Sequence, residues 1–263
     1  MNLPRYMSTE LVSHLQREAG RKLLDMAYNL KIEDPGNHLA EVQAFLQERN
    51  GSLILYGNHI AYDDPLLAGL LYLKYFNIKN DRHLVVPASH WHMNPEHNKL
   101  FSQGGKMVEK IFEAEMFQLI QSYMVENEEY PGYTQEMAEA NRRAFFGRLK
   151  ELKEQGVPTD VLIYPEGHRS KDGVLQDVGK GFILAGSILK PTVFLPIGES
   201  YENDDYARSK PNTRLSFKKP ILRIGQPTFM TDAKERPDAG SLMQNLAGSL
   251  PSWMQGQYRV QPR

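Results

Sequence analysis

The sequence predicts an α/β fold: a single-domain αβ sandwich with a mostly parallel, mixed sheet and N-terminal amphipathic helices. Three observations carry this expectation. Short apolar runs of strand length, bounded by turn residues, occur at 53–56 (LILY), 83–87 (HLVVP), 161–164 (VLIY) and 192–196 (TVFLP). Stretches of helical periodicity separate them, which is the alternation that builds parallel sheets. The two polar turns richest in titratable side chains directly follow the first and third runs, at strand carboxyl ends, where open α/β sheets place their ligands.

Taken in order, residues 1–50 read as helices packed on the core and 51–263 as one globular unit. Over 8–30, apolar residues fall at Leu11, Val12, Leu15, Leu23, Met26, Ala27 and Leu30, close to a 3.6-residue period, with Arg17, Arg21 and Lys22 elsewhere on the wheel. That stripe either packs on the domain or lies on a lipid surface. Asn37 is placed to cap a second helix, 38–48, which Asn50 and Gly51 close. The strand at 53–56 leads into a turn carrying Asn58 and His59, then a helix opened by Asp64 and Pro65.

A polar turn at 77–81 precedes the strand at 83–87. An irregular segment over 88–106 follows, then a helical pattern over 107–116, and 117–125 fits strand or helix equally. Beyond an acidic loop, a helix is expected over 137–155, ended by Gly156. After the strand at 161–164 comes a helix over 179–189, in which Gly181 and Gly186 permit close packing. The strand at 192–196 is followed by two more at 214–217 and 222–224, and by a helix over 239–250.

The formal net charge is −1 and the isoelectric point is near 6.7, so nothing in the overall charge favours nucleic acid. The absence of cysteine excludes disulfides and thiolate chemistry. No apolar run approaches the roughly 20 residues that span a bilayer. The first 20 residues also lack the pattern of a secretory signal. The expected location is cytoplasmic, with peripheral contact at the inner face of a membrane as the further option.

His59, on the loop leaving a strand, and Asp64, five residues on at a helix start, have the spacing of a general base and its orienting carboxylate. The same Asp-Pro pair also serves simply to start a helix. With no cysteine, and no serine in a nucleophile-elbow setting, the chemistry that fits is direct: His59 deprotonates an acceptor hydroxyl that attacks an activated carbonyl. In the second turn, Arg169 can hold a phosphate in bidentate fashion, and Glu166 can position an acceptor or hold Arg169. A surface salt bridge is the plainer role for that Glu-Arg pair. His90, His92 and His97 complete no recognisable ligand spacing, so no metal or other cofactor is expected, and their segment reads as a loop or lid over the acceptor cleft.

NHIAYDDP (58–65) resembles the first motif of the glycerol-phosphate and lysophosphatidate acyltransferase superfamily: a His, four residues, an Asp, then Pro. YPEGHRS (164–170) resembles that superfamily's third motif, and PTVFLPIG (191–198) its fourth, an apolar strand ending in Pro196. Together they cover roughly residues 50–200 in the expected order. The resemblance implies transfer of a fatty acyl group from acyl-CoA or acyl carrier protein to the hydroxyl of a lysophospholipid or glycerol phosphate. His59 and Asp64 would be catalytic, and Glu166, Gly167, Arg169 and Ser170 would bind substrate. Asn58, Pro65, Pro165 and Pro196 would be structural parts of the motifs.

The pattern departs from the family in places. His168 stands where Thr is usual and Ala61 where Ser is frequent. The second motif, in the region of 104–125, lacks the Arg that helps to hold phosphate. Arg142 and Arg143 on the next helix read as solvated surface. A non-phospholipid acceptor for the same chemistry, and a catalytically silent lipid-binding module, are the alternative readings.

Overall fold

The structure is a computed structural model, which describes residues 9–61, 63–77, 81–89, 109–119, 125–126, 132–202, 219–232 and 236–259, apart from the side chains of 9–17, 89 and 118. The elements run α1 (Thr9–Tyr28), β1 (Lys31–Glu33), α2 (His38–Arg49), β2 (Ser52–Gly57), α3 (Asp64–Tyr75), β3 (His83–Ser89) and β4 (Ala114–Leu119). They continue with α4 (Gln135–Glu154), β5 (Thr159–Ile163), α5 (Gly181–Leu189), β6 (Thr192–Tyr201), β7 (Pro220–Ile224), β8 (Thr228–Met230) and α6 (Ala239–Gly248). Two short 3₁₀ turns, Ser252–Met254 and Gly256–Tyr258, follow.

Eight strands form one mixed sheet in the order β1-β7-β6-β2-β5-β3-β4, with β8 paired to the first half of β6. The five strands from β6 to β4 are mutually parallel, while β7 and β8 run antiparallel to β6. This is the predicted mostly parallel α/β architecture. β2 is central and entirely buried. Its residues alternate between two apolar layers, Leu53 and Leu55 facing α2 and α3, and Ile54 and Tyr56 facing α4, α5 and α6. A strand covered on both faces must be apolar throughout, which is why LILY reads as a run rather than an alternation.

The amino edge of the sheet is tied by a buried ion pair. Arg82 donates to both carboxylate oxygens of Asp160, at 2.6 Å each, and to the Gly51 carbonyl at 2.7 Å. Asp160 also accepts from Leu53 N and from the Tyr72 hydroxyl, so the starts of β2, β3 and β5 and the body of α3 meet on one carboxylate. The opposite, carboxyl edge is left for the polar turns.

Several local expectations are corrected. α1 faces the core with Gly20, Leu24 and Tyr28, while Leu23 and Met26 are 66% and 78% exposed, so among its described side chains the buried line is turned by one position from the predicted stripe. Asn37 makes no side-chain cap for α2; the Asp34 carboxylate accepts from His38 N and Leu39 N instead, and Asn37 takes the left-handed turn between them. The predicted helix over 107–116 is helical only at 109–112 within the described residues, because Glu113 turns at φ +51° and Ala114 begins β4 along the edge of β3. β1 and β8, each three residues long, were too short to carry a period and were not anticipated.

The strand expected to end at Pro196 continues to Tyr201. Pro196 lies between the stretch of β6 paired to β8 and the stretch paired to β7, where a missing N–H interrupts neither ladder. Gly186 is tightly packed, since a Cβ there would overlap the Phe194 ring, whereas Gly181 has only the tip of the Phe146 ring at 4.0 Å. The expected strand at 214–217, the segment with His90, His92 and His97, and residues 127–131 of the acidic loop lie outside the described residues.

Candidate active site

At the carboxyl ends of β2 and β5 the two polar turns meet. His59 Nδ1 donates to Asp64 Oδ2 at 3.0 Å, and the same oxygen accepts from Ile60 N at 2.6 Å and Ala61 N at 2.7 Å. The short loop therefore folds back on the carboxylate at the start of α3, with Pro65 in the first turn where its missing N–H costs nothing. Asp64 is fully buried and the His59 side chain is 14% exposed. Donation through Nδ1 leaves Nε2 as the nitrogen that can take a proton.

Glu166 holds the two turns together. Its Oε1 accepts from His59 N at 3.1 Å and its Oε2 from Gln176 N at 2.8 Å. Ser170 N donates to the His59 carbonyl at 2.7 Å, and the Ser170 hydroxyl closes the 170–174 turn through Asp172 and the Val174 carbonyl. Gly167, at φ +74°, makes the reversal after Glu166 that a residue with a Cβ would resist. Gly179 N donates to the Pro165 carbonyl, bringing the start of α5 against the same loop. Burial pushes the Glu166 carboxyl up to about 7, against the opposing pull of its two backbone donors.

The predicted residues of the two turns, His59, Asp64, Glu166, Gly167, Arg169 and Ser170, therefore lie on loops that meet here, but with different tasks, whereas Pro196 lies back within β6. Glu166 and Ser170 are buried and engaged within the protein, whereas Gly167, His168 and Arg169 are half-buried at the rim. Asn58 is fixed from both ends, donating to the Glu199 carbonyl at 3.0 Å and accepting from Glu199 N at 2.7 Å.

A second set of residues surrounds the His-Asp pair and was not anticipated. The Tyr164 ring stacks on His59, and its hydroxyl donates to Glu199 Oε1 at 3.0 Å. Glu199 lies in β6 and is only 2% exposed; the one charged side chain in TVFLPIGESY was the available signal. Asp63, beside Asp64, is fully buried and hydrogen-bonded to the Tyr28 hydroxyl, which anchors the end of α1 behind the site. Burial and the nearby carboxylates push the Tyr28 and Tyr164 phenols well above their ordinary range, so both remain neutral donors.

Beside this edge, a groove of about 490 Å³ runs between α4 and α5. Phe146, Gly147, Gly181 and Leu184 line it, together with Arg142, Arg143, Lys150 and Lys180. No carboxylate is among its lining residues. Arg143 pairs with Glu139 at 3.3 Å on the solvent side, in keeping with its expected surface position. Among the described residues no group of His, Asp and Glu is arranged to hold a metal ion, and no helix is long and apolar enough to cross a membrane. Compared with known families and with curated proteins, the chain matches no family model and no curated sequence.

Proposed function

We propose that this protein is an acyltransferase that moves a fatty acyl group from a thioester donor, acyl-CoA or acyl carrier protein, to the hydroxyl of a lysophospholipid or glycerol phosphate. The observation that carries this reading is the His59 Nδ1 to Asp64 contact at 3.0 Å, at the carboxyl end of the central strand. In the reaction His59 Nε2 takes the proton of the acceptor hydroxyl as its oxygen attacks the thioester carbonyl. The C–S bond breaks, and the departing thiolate takes the proton back from the imidazolium. Asp64 holds the ring in the required tautomer and offsets its transient positive charge. Holding both reactants at this edge supplies much of the acceleration.

Arg169, on the turn stapled to His59 through Glu166 and Ser170, is the cation assigned to an acceptor phosphate. The groove between α4 and α5, with an apolar floor and four cations, suits the phosphorylated arm of the donor. Leu23 and Met26, exposed on α1, are the side chains assigned to a peripheral membrane contact.

The test is incubation with labelled acyl-CoA and a panel of lysophospholipids and neutral alcohols, following acylated product and free thiol. Wild type should form product and His59→Ala should not; equal yields from the two would remove His59 as the base. Arg169→Ala should raise the acceptor KM for phosphorylated acceptors, and an unchanged KM would assign the site to a neutral acceptor.

A further inference from the structure

The His59–Asp64 pair leaves two buried oxygens unexplained. Asp64 Oδ2 takes three donors, but Asp64 Oδ1 has none, and Glu199 Oε2 is likewise buried without a donor. The Glu199 carboxyl lies within hydrogen-bond reach of Asp64. Glu199 is only 2% exposed and Asp64 0%, so neither oxygen is open to bulk solvent. Among the described residues the charged groups that act most on Glu199 are Asp64 and Asp63 at the start of α3, both of its own sign. From the turn after β5 it meets the neutral Tyr164 hydroxyl, and Tyr201 is the further phenol on its own strand. Two facing carboxylates in such a setting would repel, and among the described residues no cation is hydrogen-bonded or ion-paired to either.

We infer that Glu199 and Asp64 share one proton and one negative charge, with Glu199 as the neutral member donating to Asp64 Oδ1. A single proton satisfies both unexplained oxygens and turns a repulsive pair into a hydrogen bond. The surroundings hold Glu199 to this position. Asn58 grips its backbone from both sides, the Tyr164 hydroxyl fixes Oε1, and Gly57 leaves the room, since a Cβ there would come within 3.3 Å of the Tyr164 ring and 3.5 Å of Glu199 Oε1. Burial first, then the Asp64 charge, also hold the Glu199 carboxyl well above the usual carboxylate range. Glu199 is thus a positioning residue: it aims Asp64 Oδ2 at His59 and keeps the charge behind the imidazole at one. This role in turnover rests on the proposed acyl-transfer reading; the shared proton does not.

The proton is tested without any substrate. At about pH 8, above the titration of Glu166, the infrared spectrum of wild type should show the carbonyl stretch of a buried protonated carboxylic acid, and Glu199→Gln should remove it. No such band in wild type, or a band that persists in Glu199→Gln, overturns the shared proton even if the enzyme proves active. The positioning role is read from kcat/KM against pH. Glu199→Gln keeps a donor to Asp64 and should stay within about twofold of wild type, with the acid limb unmoved, whereas Glu199→Met, of similar size but with no donor, should lose about tenfold and move the limb by about half a unit. Equal behaviour of Gln and Met variants, both shown folded by circular dichroism, would reduce Glu199 to packing. A downward shift of about one unit in Glu199→Gln would mean that Glu199 is ionised in wild type, and overturns the inference.

Discussion

The imidazole of His59 stacks on the ring of Tyr164, with centroids 4.6 Å apart and planes 28° from parallel. Since the Tyr164 hydroxyl also donates to Glu199, one residue fixes the plane of the imidazole and braces the carboxyl group behind it. These two tasks separate by mutation. Tyr164→Phe keeps the stack but leaves a buried carboxyl oxygen without its donor, so it should cost about 1–3 kcal/mol of stability while kcat falls no more than about threefold. Tyr164→Leu removes the stack, which is worth about 1 kcal/mol or more, and should lower kcat by about tenfold with the acceptor KM little changed. Thermal melts and steady-state kinetics on the two variants distinguish the tasks; equal kcat in both would show that the stack does not orient His59.

The opposite edge of the sheet supplies a control. Arg82 and Asp160 form a buried, bidentate ion pair, with Arg82 9% and Asp160 1% exposed, far along β5 from the polar turns. Either Arg82→Ala or Asp160→Ala leaves the other charge buried and should cost about 3–5 kcal/mol. Urea denaturation reads that loss directly. Below the melting transition the folded fraction should retain wild-type kcat, and a large fall in kcat without a change in stability would show that this edge is coupled to the site.

What was legible in the sequence divides along physical lines. The strands β2, β3, β5 and β6 could be placed because each is a buried apolar run that no other structure explains, and their polar turns could be assigned to the carboxyl edge because parallel strands put them there. His59, Glu166 and Arg169 stood out because they lie on turns that follow strands, and Asp64 because it opens the next helix five residues after His59. Glu199 and Tyr164 did not, since their roles come from three-dimensional neighbours, and no local spacing relates residue 199 to residue 64. Helix faces were legible only to within a residue. In α1 the apolar positions Leu23 and Met26 fit a stripe, yet Tyr28 decides which side is buried because its hydroxyl finds Asp63. β4 was misplaced because EAEMF carries a period compatible with helix, and the open edge of β3 decided the outcome.

The groove between α4 and α5 predicts an electrostatic contribution to donor binding. Arg142, Lys150 and Lys180 are exposed on its rim, and Leu184 is 43% exposed in its wall. Exposed cations act mainly through long-range attraction that salt screens. The double variant Arg142→Glu, Lys180→Glu should therefore raise the donor KM about tenfold at low salt, with a smaller effect near physiological ionic strength and little change in kcat or in the acceptor KM. If the acceptor KM rises instead, the groove serves the other substrate; if neither moves, the donor binds elsewhere.

Glu166 ties the site to pH through stability. Burial raises its carboxyl from the ordinary 4.5 to about 7 in the folded protein, so between those values the folded state holds a proton that the unfolded chain has released. Stability from this group is therefore fully present below about pH 4.5 and is lost as pH rises through about 7, by on the order of 3 kcal/mol in total. Glu33 and Glu115, whose carboxyls are held below the usual range by Lys31 and by Arg148 with His83, act in the opposite direction at more acid pH. Comparing wild type with Glu166→Gln cancels those contributions. The variant is expected to be less stable near pH 5, because an amide nitrogen must face one of the backbone donors from His59 and Gln176. The gap between the two proteins should narrow steadily toward pH 8, and urea denaturation across that range measures it. Parallel stability curves would mean that Glu166 is already ionised at pH 5 and is held by its two backbone donors alone.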